Sequence, residues 1–142
     1  MDKPDIRKEN MELTLMFVGS EDILSKCRQP RREILELASE VISKRHYGTM
    51  LDYLRVTVVF QDTGMIETRT SMSRKRKEVS VEVELSKEWV RNADDSEIKL
   101  ALLKCLLRAA EIVGQHIDRA NDDFDIQALT ADLGGLTARV QE

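Results

Sequence analysis

The clearest pattern in the chain lies between residues 79 and 85, where apolar side chains at odd positions alternate with polar side chains at even positions. Successive side chains of a strand point to opposite faces, so this segment is predicted to be a strand with one buried and one wet face. Residues 96–118 follow with apolar residues at helical spacing. They predict a long helix that covers the buried face of the sheet. Asp94, with Glu97 three residues later, predicts a capping box at its start.

Similar alternation predicts three more strands, over residues 11–18, 54–61 and, more weakly, 66–72. The first has apolar residues on both faces, which is typical of a central strand covered on both sides. Asp62-Thr63-Gly64 is expected to form the turn after the second strand. Between the first two strands, Ser20 is expected to cap a short helical turn, and Pro30 to open a separate helix.

These elements have the order β-α-β-β-β-α with a C-terminal tail. Because the later strands each have a polar side, the expected fold is a two-layer α+β domain. Its four-stranded sheet should be mostly antiparallel, with two main helices on one face. We expect residues 1–10 to be disordered, residues 11–133 to form a single domain, and residues 134–142 to fray, since Gly134-Gly135 should stop a short helix that begins near Phe124.

Composition restricts the function classes. The chain has 142 residues, 42% of them apolar, and a formal net charge of −4, so its total charge does not favour binding to a polyanion. There is no run of 18 apolar residues and no leader-like start, as expected for a cytoplasmic protein that does not bind membranes.

The sequence offers little for catalysis. The two histidines, His46 and His116, are expected at helix ends or flanks, without partners for acid–base work. Glu82 and Glu84 share one side of a predicted strand with Glu67 nearby, which indicates either a paired acid site or, as we favour, a solvated sheet face. No nucleotide, metal or nucleophile motif is present. We therefore expect no enzymatic activity, no cofactor and no metal.

The two cysteines suggest neither a disulfide framework nor a zinc site. Cys105 lies on the apolar side of the long helix and is expected to be buried. Lys26 and Arg28 flank Cys27 and would lower its pKa if the thiol were exposed, which leaves a reactive role open as the minor interpretation.

Charge is polarised along the chain. The basic tip of the predicted hairpin, together with Arg69 of the strand before it, is a candidate nucleic-acid contact; the tip residues are Arg74, Lys75, Arg76 and Lys77. An acidic segment surrounds one aromatic residue and is a candidate protein-binding surface, comprising Asp118, Asp122, Asp123, Phe124 and Asp125.

Two families resemble this chain. From Pro30 to Asp118 the order helix, three strands, helix resembles the double-stranded RNA-binding domain, which implies phosphate contact by the basic tip. The small size, acidic charge and missing catalytic motifs resemble the immunity proteins of bacterial toxin–immunity systems. That resemblance implies a protein that binds and blocks a basic, nuclease-like toxin domain through the acidic segment, and we favour it over RNA binding. A homodimer built on an exposed strand edge is a further option.

Overall fold

The computed structural model describes residues 12–42, 53–62, 66–75, 78–116 and 126–141. Within these residues it contains four strands and four helices. In chain order they are β1 (Glu12–Val18), α1 (Glu21–Ile42), β2 (Tyr53–Gln61), β3 (Ile66–Lys75), β4 (Glu78–Ser86), α2 (Lys87–Asn92), α3 (Asp95–His116) and α4 (Ile126–Gln141).

The strands form one sheet in the order β1-β2-β4-β3. β1 pairs with β2 and β2 with β4, both in parallel, and only the β3–β4 pair is antiparallel. The predicted mostly antiparallel sheet with two main helices is therefore wrong, although the fold remains α+β. Parallel neighbours need a long crossover connection, which α1 provides between β1 and β2. β3 occupies the far edge of the sheet, beside β4 and not beside β2.

One face of the sheet is apolar and carries the helices. Its side chains in the two central strands are almost completely buried, and comprise Leu54, Val56, Val58, Phe60, Val79, Val81, Val83 and Leu85. α1 contacts β1, while α3 crosses β2, β3 and β4. α4 packs mainly against α3. The core thus lies between the sheet and α1 and α3, and continues under α4.

α1 is one helix through Pro30, and the predicted break at that residue is wrong. Proline in a helix interior removes a backbone hydrogen bond and costs about 3 kcal/mol. Here Pro30 is buried on the side of α1 that also carries Ile23, Cys27 and Ile34, all at most 1% exposed. Burial of this apolar side offsets the local cost, which is why the helix continues.

The C-terminal part of the chain also differs from the prediction. α4 continues through Gly134-Gly135 to Gln141, because Leu133, Leu136 and Thr137 are buried and hold this stretch against the core. The short helix α2 was not predicted. Its start is fixed by the Ser86 hydroxyl, which accepts a hydrogen bond from the backbone N–H of Trp89 at 3.2 Å.

Candidate protein-interaction surfaces

No helix in the described residues covers the second face of the sheet, and two large apolar side chains of β1 are exposed there. Met16 is 45% exposed and Val18 54%. They lie opposite Thr57 and Val59 of β2 in the strand register. The prediction of a central first strand was wrong: β1 is an edge strand, and the apolar residues on its second face meet solvent. Two neighbouring exposed apolar side chains make this part of the face a candidate protein-binding surface.

The β4 side of this face is different. Glu82 and Glu84 lie opposite Thr57 and Val59, and the β3 backbone places Glu67 opposite Glu84. Glu84 is only 8% exposed, and both β4 carboxylates have interaction partners. No group of three His, Cys, Asp or Glu side chains in the described residues is arranged to hold a metal ion. This side of the face therefore resembles a structural polar surface more than an acid site.

The outward side of α1 forms an open groove of about 590 Å³, lined by Arg28, Arg31, Arg32, Leu35, Glu36 and Ser39. The Arg31 guanidinium lies 5.4 Å from the centroid of the Phe17 ring. Phe17 in turn packs edge-to-face on Phe60, with the ring centroids 5.3 Å apart. These aromatic contacts fix one side of a mainly basic groove in an acidic protein. The sequence analysis missed it, although the spacing of Arg28, Arg31 and Arg32 was the available signal.

The three parallel strands end at one edge, where α1 and α2 begin, and the acidic residues there are largely paired. Arg91 lies 3.5 Å from both Asp22 and Glu88, and Lys87 lies 4.0 Å from Asp62. A hydrogen bond from the Ser20 hydroxyl is the main cause that lowers the pKa of Asp22, and Arg91 adds to it. Charge at this edge is thus close to balanced.

Exposed acidic residues without such pairing lie at the start of α3. Asp94, Asp95 and Glu97 are all exposed. The predicted capping box is confirmed: Asp94 N–H donates to Glu97 Oε1 at 2.9 Å, and Glu97 N–H donates to Asp94 Oδ1 at 2.8 Å. Asp95 adds a third negative charge at the start of α3 and takes no part in the capping box.

The two cysteines are buried and free. Burial raises the pKa of Cys27 to about 11, against a smaller opposing effect of Lys26, and raises the pKa of Cys105 to about 12. The expectation for Cys105 is confirmed. A reactive role for Cys27 is contradicted, because the reactive thiolate is disfavoured at neutral pH.

The residues predicted to bind a partner lie mostly outside the described part of the chain. This holds for Asp118, Asp122, Asp123, Phe124 and Asp125, and for Arg76 and Lys77 of the basic tip; the histidine His46, for which no binding role was predicted, also lies outside it. The backbone places Arg69, Arg74 and Lys75 on β3, and β4 begins at Glu78 directly after the tip. Both proposed binding regions therefore stay predictions.

The RNA-binding comparison loses support from the strand arrangement. It depended on consecutive strands after α1 lying side by side, whereas β2 and β4 are parallel neighbours and β3 lies beyond them. The exposed acidic start of α3 would also repel a phosphate backbone.

Among the described helices, none combines the length and apolar character that a bilayer crossing requires.

Comparison with known proteins identifies the family. No curated protein and no solved structure matches the chain. The model of the family described as Immunity protein 44 matches residues 11–135, a range that takes in all four strands and most of the helical layer. The resemblance to immunity proteins is confirmed, and the chain belongs to the Immunity protein 44 family.

Proposed function

We propose that this protein binds one toxin protein and blocks its toxic domain. The observation that carries the proposal is the family match over residues 11–135. Immunity proteins are generally non-catalytic, and neutralisation by occlusion needs only a rigid surface that fits the toxin. The well-packed core beneath the sheet supplies that rigidity. The proposal places the protein in the cytoplasm of the cell that it protects.

We further propose that the toxin domain is basic, as a nuclease would be, and that acidic groups of this chain guide it into place. The support is the net charge of −4 and the acidic segment Asp118, Asp122, Asp123 and Asp125, with Phe124 as an apolar anchor. Complementary charge speeds association and orients the partner, while a buried aromatic residue provides binding energy.

The first experiment identifies the partner. Immobilised protein is exposed to native cell extract, and bound proteins are identified by mass spectrometry. The toxic domain of the captured protein is then co-expressed with this chain in a sensitive host. We expect one basic protein to be captured and the host to survive only when this chain is present. Survival that is unchanged by the chain would contradict the proposed function.

The second experiment tests the acidic segment. Asp122→Lys with Asp123→Lys should weaken toxin binding by more than tenfold at low salt, and the loss should shrink as salt screens the charges. The matched control is Asp62→Lys with Glu111→Lys, the same charge change at exposed residues elsewhere. Equal affinities of the two double variants would exclude the segment and leave the toxin-binding function intact.

A further inference from the structure

Exposed charges on α1 follow an ordered sequence. Arg28 and Arg32 are followed, at the same four-residue interval, by Glu36 and Glu40, and all four side chains are exposed. Residues four apart on a helix lie on neighbouring positions of one face. This row of exposed residues therefore carries two positive and then two negative charges along α1, while Arg31, beside the row, lies over the Phe17 ring.

The two central residues of this series lack partners. Arg28 lies 3.5 Å from Glu21, and Glu33, on the inward flank of α1, lies 3.2 Å from Lys99. By contrast, Arg32 and Glu36 form no ion pair or hydrogen bond in the described structure, not even with each other, although their spacing permits it. Their charges remain available to another molecule.

We propose that the occupant of this surface is a second copy of the chain, with the two α1 helices antiparallel about a twofold axis at the level of Ile34. In such a pair, residues equally far from the axis in opposite directions lie at the same height. Arg32 is then level with Glu36 of the partner subunit, and Glu36 with Arg32 of the partner subunit. Each is about 3 Å along the helix from the axis, at 1.5 Å per residue.

Leu35, the apolar residue of the groove, also fits this arrangement. Leu35 is half-buried, lines the groove beside Arg32 and Glu36, and lies next to the axis, where it meets Leu35 of the partner subunit. An apolar centre with a charged rim is the usual construction of a protein interface. α1 contacts β1, the edge strand, so the twofold axis lies at one side of the molecule and leaves the second face of the sheet free.

The order of charges favours a second copy over a polyanion or an acidic peptide. A continuous row of phosphates or carboxylates would pair with Arg28 and Arg32 and then meet Glu36 and Glu40. An identical helix running in the opposite direction places its negative charges against the positive charges of the first, and its positive charges against the negative ones. This mutual pairing is what an isologous interface requires. The interface is small, so we expect a concentration-dependent dimer rather than a permanent one.

Sedimentation equilibrium of the purified chain tests the proposal over micromolar to millimolar concentrations. The wild-type chain should dimerise reversibly, and more weakly at high salt. Arg32→Glu and Glu36→Arg should each raise the dimer dissociation constant by about tenfold, because each places like charges together twice. An equimolar mixture of these two variants should form a heterodimer of nearly wild-type affinity, since both pairs are then complementary.

The matched control carries both changes in one chain. Arg32→Glu with Glu36→Arg reverses the charge order but keeps it self-complementary, so this variant should dimerise like the wild type. A wild-type chain that stays monomeric throughout, or a dimer that neither single variant weakens, would overturn the proposal. The inference is independent of toxin binding. Sedimentation equilibrium tests the dimer, whereas the survival assay tests toxin neutralisation, and neither result depends on the other.

Discussion

Asp94 and Glu97 exchange two hydrogen bonds across the start of α3, each from the backbone N–H of one residue to the side-chain carboxylate of the other, at 2.9 and 2.8 Å. Each bond satisfies a backbone N–H that the first helical turn leaves without an intrahelical acceptor. Asp94→Ala removes one of them and should lower the free energy of unfolding by about 1 kcal/mol. Urea denaturation followed by circular dichroism measures the change.

Asp95→Ala is the control for that variant. Asp95 is exposed in the same turn but has no capping hydrogen bond, so its loss should cost only the interaction with the helix dipole, about 0.3 kcal/mol. If both alanine variants lost the same stability, charge at the helix end rather than capping would explain the effect.

Gly134 and Gly135 lie inside α4, and a β-carbon added at either would meet no heavy atom within 4 Å. Alanine restricts the unfolded chain and favours the helix, so each substitution should raise the free energy of unfolding by about 0.5–1 kcal/mol. Gly19→Ala provides the contrast, because its β-carbon would lie 3.1 Å from Cδ2 of Phe60, a buried ring that packs edge-to-face against Phe17 and has little room to move aside. Thermal denaturation should show a higher midpoint for the first two and a lower one for the third.

The buried thiols make the protein sensitive to high pH. The pKa values of Cys27 and Cys105 are raised by burial to about 11 and about 12, while unfolded cysteines ionise near pH 8.5. The contribution of this pKa difference to the free energy of unfolding is fully present below about pH 8.5. It is lost as the pH rises toward the pKa values of the folded state, because over that range only the unfolded chain releases its thiol protons.

A thiol reagent at pH 8 reports the same burial directly. Native protein should react slowly at both cysteines, and protein unfolded in guanidinium chloride should react at once. The variant Cys27→Ala separates the two residues. Rapid labelling of Cys27 in the folded chain would show that its thiol is accessible, contrary to its 0% exposure.

Much of the secondary structure could be predicted because it is encoded locally. The alternation around Val81 marks β4, and the capping box at Asp94 marks the start of α3. Strand neighbours were harder to predict, since alternation shows which side chains face inward but not which strand lies alongside. The parallel β1–β2 pair was nevertheless predictable from α1, because a helix between two strands usually forms a crossover between parallel neighbours.

Local signals failed where tertiary packing outweighs them. Pro30 and Gly134-Gly135 normally end helices, yet buried neighbours such as Ile34 and Leu133 keep α1 and α4 continuous. The candidate surfaces were missed for a related reason. Whether Met16 is covered depends on whether another layer packs on the second face of the sheet, which the composition of β1 alone does not reveal.

Arg31 and Phe17 connect α1 to the edge strand, with the guanidinium 5.4 Å from the ring centroid. Arg31→Met keeps much of the side-chain length and removes the charge, while Phe17→Leu removes the ring. A double-mutant cycle over these changes should give a coupling free energy of about 0.5–1 kcal/mol, the usual value for a partly exposed cation–π contact. A coupling near zero in urea denaturation would mean that Arg31 contributes through its aliphatic stem alone. In that case Arg31→Met by itself should leave stability almost unchanged, since methionine preserves that apolar contact.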